Sequence, residues 1–467
     1  MARSRGAGRW RDWLGGLFIA VGVGSSGAGL GWCGWSLIAC KTTVKPNIIL
    51  VITDDQNADT INGTMPNVQA LAAEGITFTQ AYVTTPICAP SRASTFTGYR
   101  ATRHGVETNF HHLSFVPSTS IAVALQTQGY TTALIGKYIN NYTQAIFGLT
   151  PPAGWNRWYA YFGPGNNLYY DYNINVDGTS VAKGSATADY STDVWATEAV
   201  SFVSTATQPF FAYIAPHAPH HPAVGAPRHI GTFLGATCPT TDATMEANTD
   251  DKPQHIKDAR ADAPGDVFDT NCEWRNERRD ALLAVDEMVD ALVDAVAARG
   301  PTVLANTLFI YTSDNGLSNL DHWWQWKEVP YDASVRVPLV MRYDALFTTK
   351  NITRSEPILN IDLAPTLAGV AGATLPGRDG RDWIDYYRTP SIGWRTAFPM
   401  EYWDDTILAT PTWTGVQTTA YKYVHYIDEF EEFYDRVTDA LENENVAYLN
   451  PSDSRLPTAR ALHDTMH

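Results

Sequence analysis

Charged side chains are scarce in this sequence, 18% of 467 residues, and cysteine is scarcer, with five in all. Low charge beside 44% hydrophobic residues excludes a largely disordered chain and allows one large domain plus a smaller one. Basic residues are outnumbered, 33 against 49 acids, giving a formal charge of −16. That excludes a general nucleic-acid or anionic-membrane surface, because phosphate binding needs clustered Lys and Arg. No nucleic acid is expected as a partner, and an anionic substrate would need a local cationic pocket. No internal repeat is evident.

The N-terminus has charge of one sign only at its start: Arg3, Arg5, Arg9 and Arg11 precede a stretch from Trp13 to Cys40 without any charged residue. This is the pattern of a secretory leader, expected over 1–40. The uncharged run is longer than a usual signal core and rich in glycine, and Leu37-Ile38-Ala39-Cys40 has the form of a bacterial lipoprotein site. A membrane or lipid anchor therefore stands beside simple cleavage as an alternative, and is the one way a membrane enters the reading. The location expected is secreted, lysosomal-like or otherwise extracytoplasmic. Sequons at Asn62, Asn141 and Asn351 fit a secreted glycoprotein but are weak signals.

With Cys33 and Cys40 in the leader, the folded part keeps Cys88, Cys238 and Cys272. One pair and one odd thiol remain. If Cys238 and Cys272 pair, as an oxidising compartment permits, Cys88 is the thiol that needs a chemical reason; a buried free cysteine is the plain alternative.

Short apolar, β-branched runs at Asn47–Thr53, Thr131–Ile135, Phe210–Ala215, Thr307–Thr312 and Val337–Met341 are separated by segments long enough for crossover helices. They predict an α/β fold with a mixed, mostly parallel central sheet flanked by helices. The apolar spacing from Leu282 to Val296 predicts a helix over Arg275–Arg299, stopped by Gly300-Pro301. Pro239–Thr270, polar and Asp-rich without either period, reads as a surface excursion over the site. After about Arg378 the pattern turns aromatic and irregular. A catalytic domain over 41–378 and a smaller α+β subdomain over 379–467 are expected.

Ligands gather at the carboxyl ends of strands in α/β sheets, and two runs put acids at that edge. They are Asn47-Ile-Ile-Leu-Val-Ile-Thr-Asp54-Asp55 and Leu308-Phe-Ile-Tyr-Thr-Ser-Asp314-Asn315-Gly316. Either alone reads as a turn or helix cap. Together, four oxygen-bearing side chains suit a hard cation such as Ca2+, which takes six to eight oxygens. The segment Cys88-Ala89-Pro90-Ser91-Arg92-Ala93-Ser94-Thr95-Phe96-Thr97-Gly98 adds a second signal. Pro90 suits the first turn of a helix, which puts residue 88 at an N-terminus, where free N–H groups and the dipole favour an anion.

That segment resembles the type I sulfatases, whose Cys-x-Pro-Ser-Arg signature and following Thr-Gly are met in full. The resemblance runs from about Lys45 to Asn450, with its landmarks in the family's order. It implies an alkaline-phosphatase-like fold and a nucleophile made by oxidising Cys88 to formylglycine, through a formylglycine-generating enzyme during export. It further implies one Ca2+ per chain on Asp54, Asp55, Asp314, Asn315 and residue 88. Arg92 is the signature arginine, Lys137 matches the active-site lysine after a strand, and His220 the histidine two residues before a proline. Lys327 matches the lysine ahead of Pro330-Tyr331-Asp332, and Tyr421–Val424 and Glu432–Asp435 the closing strands. The charged set would hold a sulfate monoester, with Lys327 or His220 as proton donor to the leaving alcohol. Two positions depart from the pattern: Ile139 replaces a histidine common two residues after the lysine, and Leu317-Ser318 replace a Tyr-His pair.

Gly136–Asn140, Trp155, Trp158 and Tyr169–Tyr172 resemble the N-acetylglucosamine-6-sulfatase branch, which implies a sulfated carbohydrate, best a 6-O-sulfated N-acetylglucosamine, with aryl sulfates as artificial substrates. Trp155–Tyr172 and the Trp-rich Leu317–Trp326 are candidate sugar-stacking walls. Two other readings stay open: a phosphomonoester or phosphonate ester hydrolase of the same superfamily, and a non-catalytic sulfated-glycan-binding protein.

Overall fold

A computed structural model describes residues 44–163, 168–405 and 409–467. The leader, with Cys33 and Cys40, lies outside the described residues. Val44–His467 forms one compact unit, and among the described residues no helix is long and apolar enough to cross a membrane.

A ten-stranded sheet runs through the molecule in the order Ile352–Arg354, Ile76–Phe78, Leu339–Arg342, Thr307–Ser313, Asn47–Thr53, Phe210–Ala215, Thr131–Gly136, Arg157–Phe162, Asn173–Val176, Thr179–Ala182. From Thr307–Ser313 to Arg157–Phe162, neighbouring strands are parallel. Asn47–Thr53 and Phe210–Ala215 are buried along their whole length, as expected of parallel strands covered on both faces. Their alternate side chains feed two cores. Ile48, Leu50 and Ile52 pack with Phe96, Leu125 and Leu367 from helices Cys88–Thr97, Ile121–Thr127 and Leu363–Ala371. Ile49 and Val51 pack with Trp195, Leu282 and Val285 from helices Ser191–Thr205 and Val267–Ala298. A second, antiparallel sheet of four strands, Ala397–Tyr402, Trp413–Thr418, Tyr421–Tyr426 and Glu431–Asp435, follows near the C-terminus. The fold class expected from the sequence is the one observed.

Several elements differ from expectation. The long helix begins at Val267, eight residues before Arg275, because its first turns carry polar residues that hide the period. Pro239–Thr270 is not simply a surface excursion: it contains helix Gln254–Asp262 and buried Asp251, Lys252, His255 and Ile256. Its polar residues go inside because they have partners, Lys252 Nζ donating to the carbonyls of Glu442 and Asn443 at 3.0 and 2.7 Å. The run Val337–Met341 gives a strand only from Leu339, and an antiparallel one against Thr307–Ser313. Trp155, Trp158, Tyr169 and Tyr172 are buried in the two cores, so these four rings pack the fold instead of standing open for stacking. Cys238 and Cys272 form a disulfide, which leaves Cys88 as a buried free thiol.

Candidate active site

Four adjacent parallel strands end at one place, and each delivers polar residues there. Thr307–Ser313 leads into Asp314 and Asn315, Asn47–Thr53 into Asp54 and Asp55, Phe210–Ala215 into His217 and His220, and Thr131–Gly136 into Lys137. The register pairs Thr53 with Ser313, which puts the two acid-bearing ends level. At Gly136 (φ 102°) a Cβ would lie 2.2 Å from the Ala215 carbonyl oxygen, so only glycine lets that strand turn out to Lys137. Helix Cys88–Thr97, buried throughout, presents Cys88 at its first position above these strand ends.

The side chains named from the sequence converge. Cys88 Sγ lies 2.9 Å from Lys327 Nζ and 3.4 Å from Asp54 Oδ1. Lys137 Nζ donates to Asp54 Oδ2 and Lys327 Nζ to Asp55 Oδ1, both at 2.5 Å. Arg92 Nε donates to Asp314 Oδ2 at 2.8 Å, and its Nη2 is 3.7 Å from Asp54 Oδ2. His220 Nε2 stands 3.7 Å from Asp55 Oδ2, and its Nδ1 meets the His221 carbonyl at 2.5 Å.

Burial raises the energy of every charge here, and opposite charges decide which groups keep theirs. It would push Asp54 up, but Lys137, His220 and Arg92 outweigh it and hold that carboxyl well below its usual range. Asp55 is lowered in the same way, chiefly by Lys327 and His220. Asp314 goes the other way, raised to about 6 by burial and the Asp54 charge in spite of Arg92. Burial also pushes the Cys88 thiol up to about 12 against the pull of Lys137 and Lys327. An unmodified Cys88 is therefore a neutral thiol at physiological pH and a poor nucleophile.

The donor set fits a hard cation. Oxygens of Asp54, Asp55 and Asp314 lie within 4.8 Å of one another. Asn315 Nδ2 is engaged with Asp55 Oδ1 at 2.6 Å, while Asn315 Oδ1 is buried without a hydrogen-bond partner. Carboxylate and amide oxygens of this kind are the ligands that hard cations take.

Beside this centre a cavity of about 240 Å3 is lined by Lys137, Asn140, Tyr161, Leu168, His217 and His220, among others. Ile139, in place of the common histidine, is buried at 3% exposure, and His322 lies against Glu246 and the Tyr331 ring instead of reaching the site. Sequence reasoning missed His217. Its ring lies 4.4 Å from that of Tyr161, and burial, with Lys137 next, holds its pKa well down. Its place two residues past the buried strand Phe210–Ala215 was the available signal.

Fold and site together define the class: an α/β protein with a mostly parallel sheet and a buried acidic centre at its strand ends. The sulfatase family model matches residues 46–373, and a model for the C-terminal part of N-sulphoglucosamine sulphohydrolase matches 321–466. The chain belongs to the sulfatase family. It is 32% identical to human N-acetylglucosamine-6-sulfatase over 80% of this chain and 70% of that one. It is 33% identical to a putative extracellular sulfatase Sulf-1 homolog of Caenorhabditis elegans over 78% of this chain, but spans only 52% of that protein's length. A solved structure of a protein with its substrate D-glucosamine-2-N,6-O-disulfate superposes with a TM-score of 0.77 at 24% identity, covering 90% of this chain and 97% of that one. The phosphonate monoester hydrolase of Agrobacterium radiobacter gives 0.72 at 20% identity, covering 90% and 94%; at these identities the likeness concerns the fold.

Proposed function

We propose that this sulfatase removes sulfate from a sulfated glycan, with the 6-O-sulfate of N-acetylglucosamine as the favoured target. The observation that carries the reading is Cys88 at a helix N-terminus, within reach of three buried acids, two lysines and a buried arginine. Relatives named as N-acetylglucosamine-6-sulfatases support the choice of sugar.

In this reading Cys88 matures to formylglycine and Asp54, Asp55, Asp314, Asn315 and residue 88 hold one Ca2+. When present, the aldehyde hydrate supplies a hydroxyl nucleophile and the ion polarises the sulfate oxygens. The chain's own residues do the remainder. Arg92, bonded to Asp314 and close to Asp54, fixes two acids relative to each other. Lys327, 2.9 Å from the side chain at 88, holds a proton and a positive charge where that residue reacts. Lys137 faces both Asp54 and the cavity, so its ammonium is placed for a sulfate oxygen. Lys327 or His220 gives the proton to the leaving alcohol: His220 is the more open, its side chain 29% exposed against 10% for Lys327, whereas burial lowers the His220 pKa and Asp55 keeps Lys327 protonated. The catalytic region over 41–378 and the C-terminal subdomain over 379–467 are kept as the working division.

The structural likeness to phosphonate monoester hydrolases makes phosphonate esters the second substrate class. Both readings are separated by kcat/KM on matched sulfate and phosphonate esters, and on glucosamine derivatives differing only in sulfate position. Highest turnover is expected for the 6-O-sulfate. Preference for a phosphonate ester would overturn the substrate class, and preference for a 2-O-, 3-O- or 4-O-sulfate the assigned position alone.

A further inference from the structure

Arg278 sits on the long helix Val267–Ala298 and is 4% exposed. A guanidinium so buried ordinarily takes a carboxylate, as neighbouring Arg275 takes Asp59 at 2.9 Å. Arg278 meets neutral oxygens instead. Its Nη2 donates to the backbone carbonyl of Asp55 and to Asn57 Oδ1 at 3.2 Å, and its Nη1 to Asn319 Oδ1 at 2.8 Å. Asn319 Nδ2 closes the ring by donating to Asn57 Oδ1 at 3.0 Å, and Asn57 Nδ2 donates on to the carbonyls of Leu317 and Ala333.

These contacts tie two loops that nothing in the sequence joins. One carries Asp54 and Asp55, the other Asp314 and Asn315. Both hold a residue in the left-handed region, Asp55 at φ 65° and Asn319 at φ 49°, a conformation that Asp and Asn adopt more readily than other side chains. The planar fork of arginine reaches both loops at once, which the single ammonium of a lysine would not do.

We infer that Arg278, with Asn57 and Asn319, is a positioning group that sets the separation of the two acid-bearing loops and thereby the affinity of the centre for a divalent cation. This rests on the Ca2+ reading of Asp54, Asp55, Asp314 and Asn315. Arg278 touches none of their carboxylate oxygens; it acts through the Asp55 backbone and the Asn319 side chain.

The test is Ca2+ titration of the metal-stripped full chain by calorimetry, beside thermal melting without Ca2+, for wild type, Arg278→Gln and Asn319→Ala. Loss of outer contacts of this kind weakens metal binding by about 10–100-fold. Arg278→Gln is expected to show that weakening and Asn319→Ala a smaller one in the same direction. A merely structural arginine would lower the metal-free melting temperature and leave the Ca2+ Kd within twofold of wild type, which would overturn the inference. Should Arg278→Gln not fold, the Kd of the more peripheral Asn319→Ala decides in the same way. Wild type without Ca2+ affinity would overturn the metal reading and the inference with it, whereas normal wild-type binding with unchanged variants overturns the inference alone.

Discussion

At the scale of single residues, the chemistry depends on Cys88 being both buried and placed. Its side chain is 0% exposed, and burial keeps the thiol neutral, so it matters as a precursor and not as a thiolate. Cys88→Ala is expected to reduce turnover to the uncatalysed background while costing only about 1 kcal/mol of stability for a small buried deletion. Steady-state kinetics with a melting curve on the same sample check both halves. Of the nine proposed site residues, Asp54, Asp55, Asp314 and Asn315 after apolar strands and Cys88 ahead of Pro90 stand out from the residues themselves, while Arg92, Lys137, His220 and Lys327 were named by resemblance to the sulfatases. His217 and Arg278 were not. His217 sits in a loop with three histidines nearby, and Arg278 lies on a helix marked only by its apolar spacing; only the tertiary structure brings it to the Asp55 carbonyl.

At the scale of elements, the parallel strands Asn47–Thr53, Thr131–Gly136, Phe210–Ala215 and Thr307–Ser313 announced themselves as short continuous apolar runs, buried on both faces, whereas the parallel strand Arg157–Phe162, whose burial alternates, did not. Short and edge strands such as Ile76–Phe78 and Thr179–Ala182 did not, being three or four residues long and in the second case exposed throughout. Helix Gln254–Asp262 was hidden by its own polarity, since it buries His255 between the rings of Trp324 and Tyr426. Both His255 ring nitrogens lack partners, and burial, only weakly opposed by Asp258, lowers its pKa to about 3. The unfolded chain therefore binds a proton below its ordinary value of about 6.5 that the folded chain refuses. Stability from this group is full above that value and falls as the pH drops towards 3, by roughly 2 kcal/mol at pH 5. In His255→Phe, which keeps the ring packing, the decline of melting temperature between pH 6.5 and 4 should be shallower than in wild type. An unchanged slope would show that His255 does not carry it.

At the scale of the whole molecule, the C-terminal sheet belongs to the site's support. Phe398, Met400 and Tyr426 pack with Tyr82 and Ile87, the residue before Cys88. Trp413 Nε1 donates to the Glu328 carbonyl and Lys422 Nζ to that of Pro330, on either side of the segment after Lys327. The aromatic look of the sequence past Arg378 follows in part from this: Phe398, Tyr402, Trp413 and Tyr426 fill the shared interface, while Tyr423 and Phe433 pack with Val416, Leu456 and Ala459 in a core of the C-terminal part itself. A cation held between Asp54, Asp55 and Asp314 would cross-link two strand ends of the central sheet, so stability and activity should respond to it together. Thorough chelation is expected to lower the melting temperature and abolish turnover, with Ca2+ restoring both and Mg2+ restoring them poorly because it demands a tighter octahedral shell. Undiminished activity in metal-free protein would remove Ca2+ from the account.

The most direct test of the central claim is mass spectrometry of the peptide containing residue 88, taken from fully active protein exported by a host that makes formylglycine. The aldehyde is expected at position 88 in a fraction that tracks specific activity across preparations. Fully active protein whose residue 88 is wholly unmodified cysteine would contradict it.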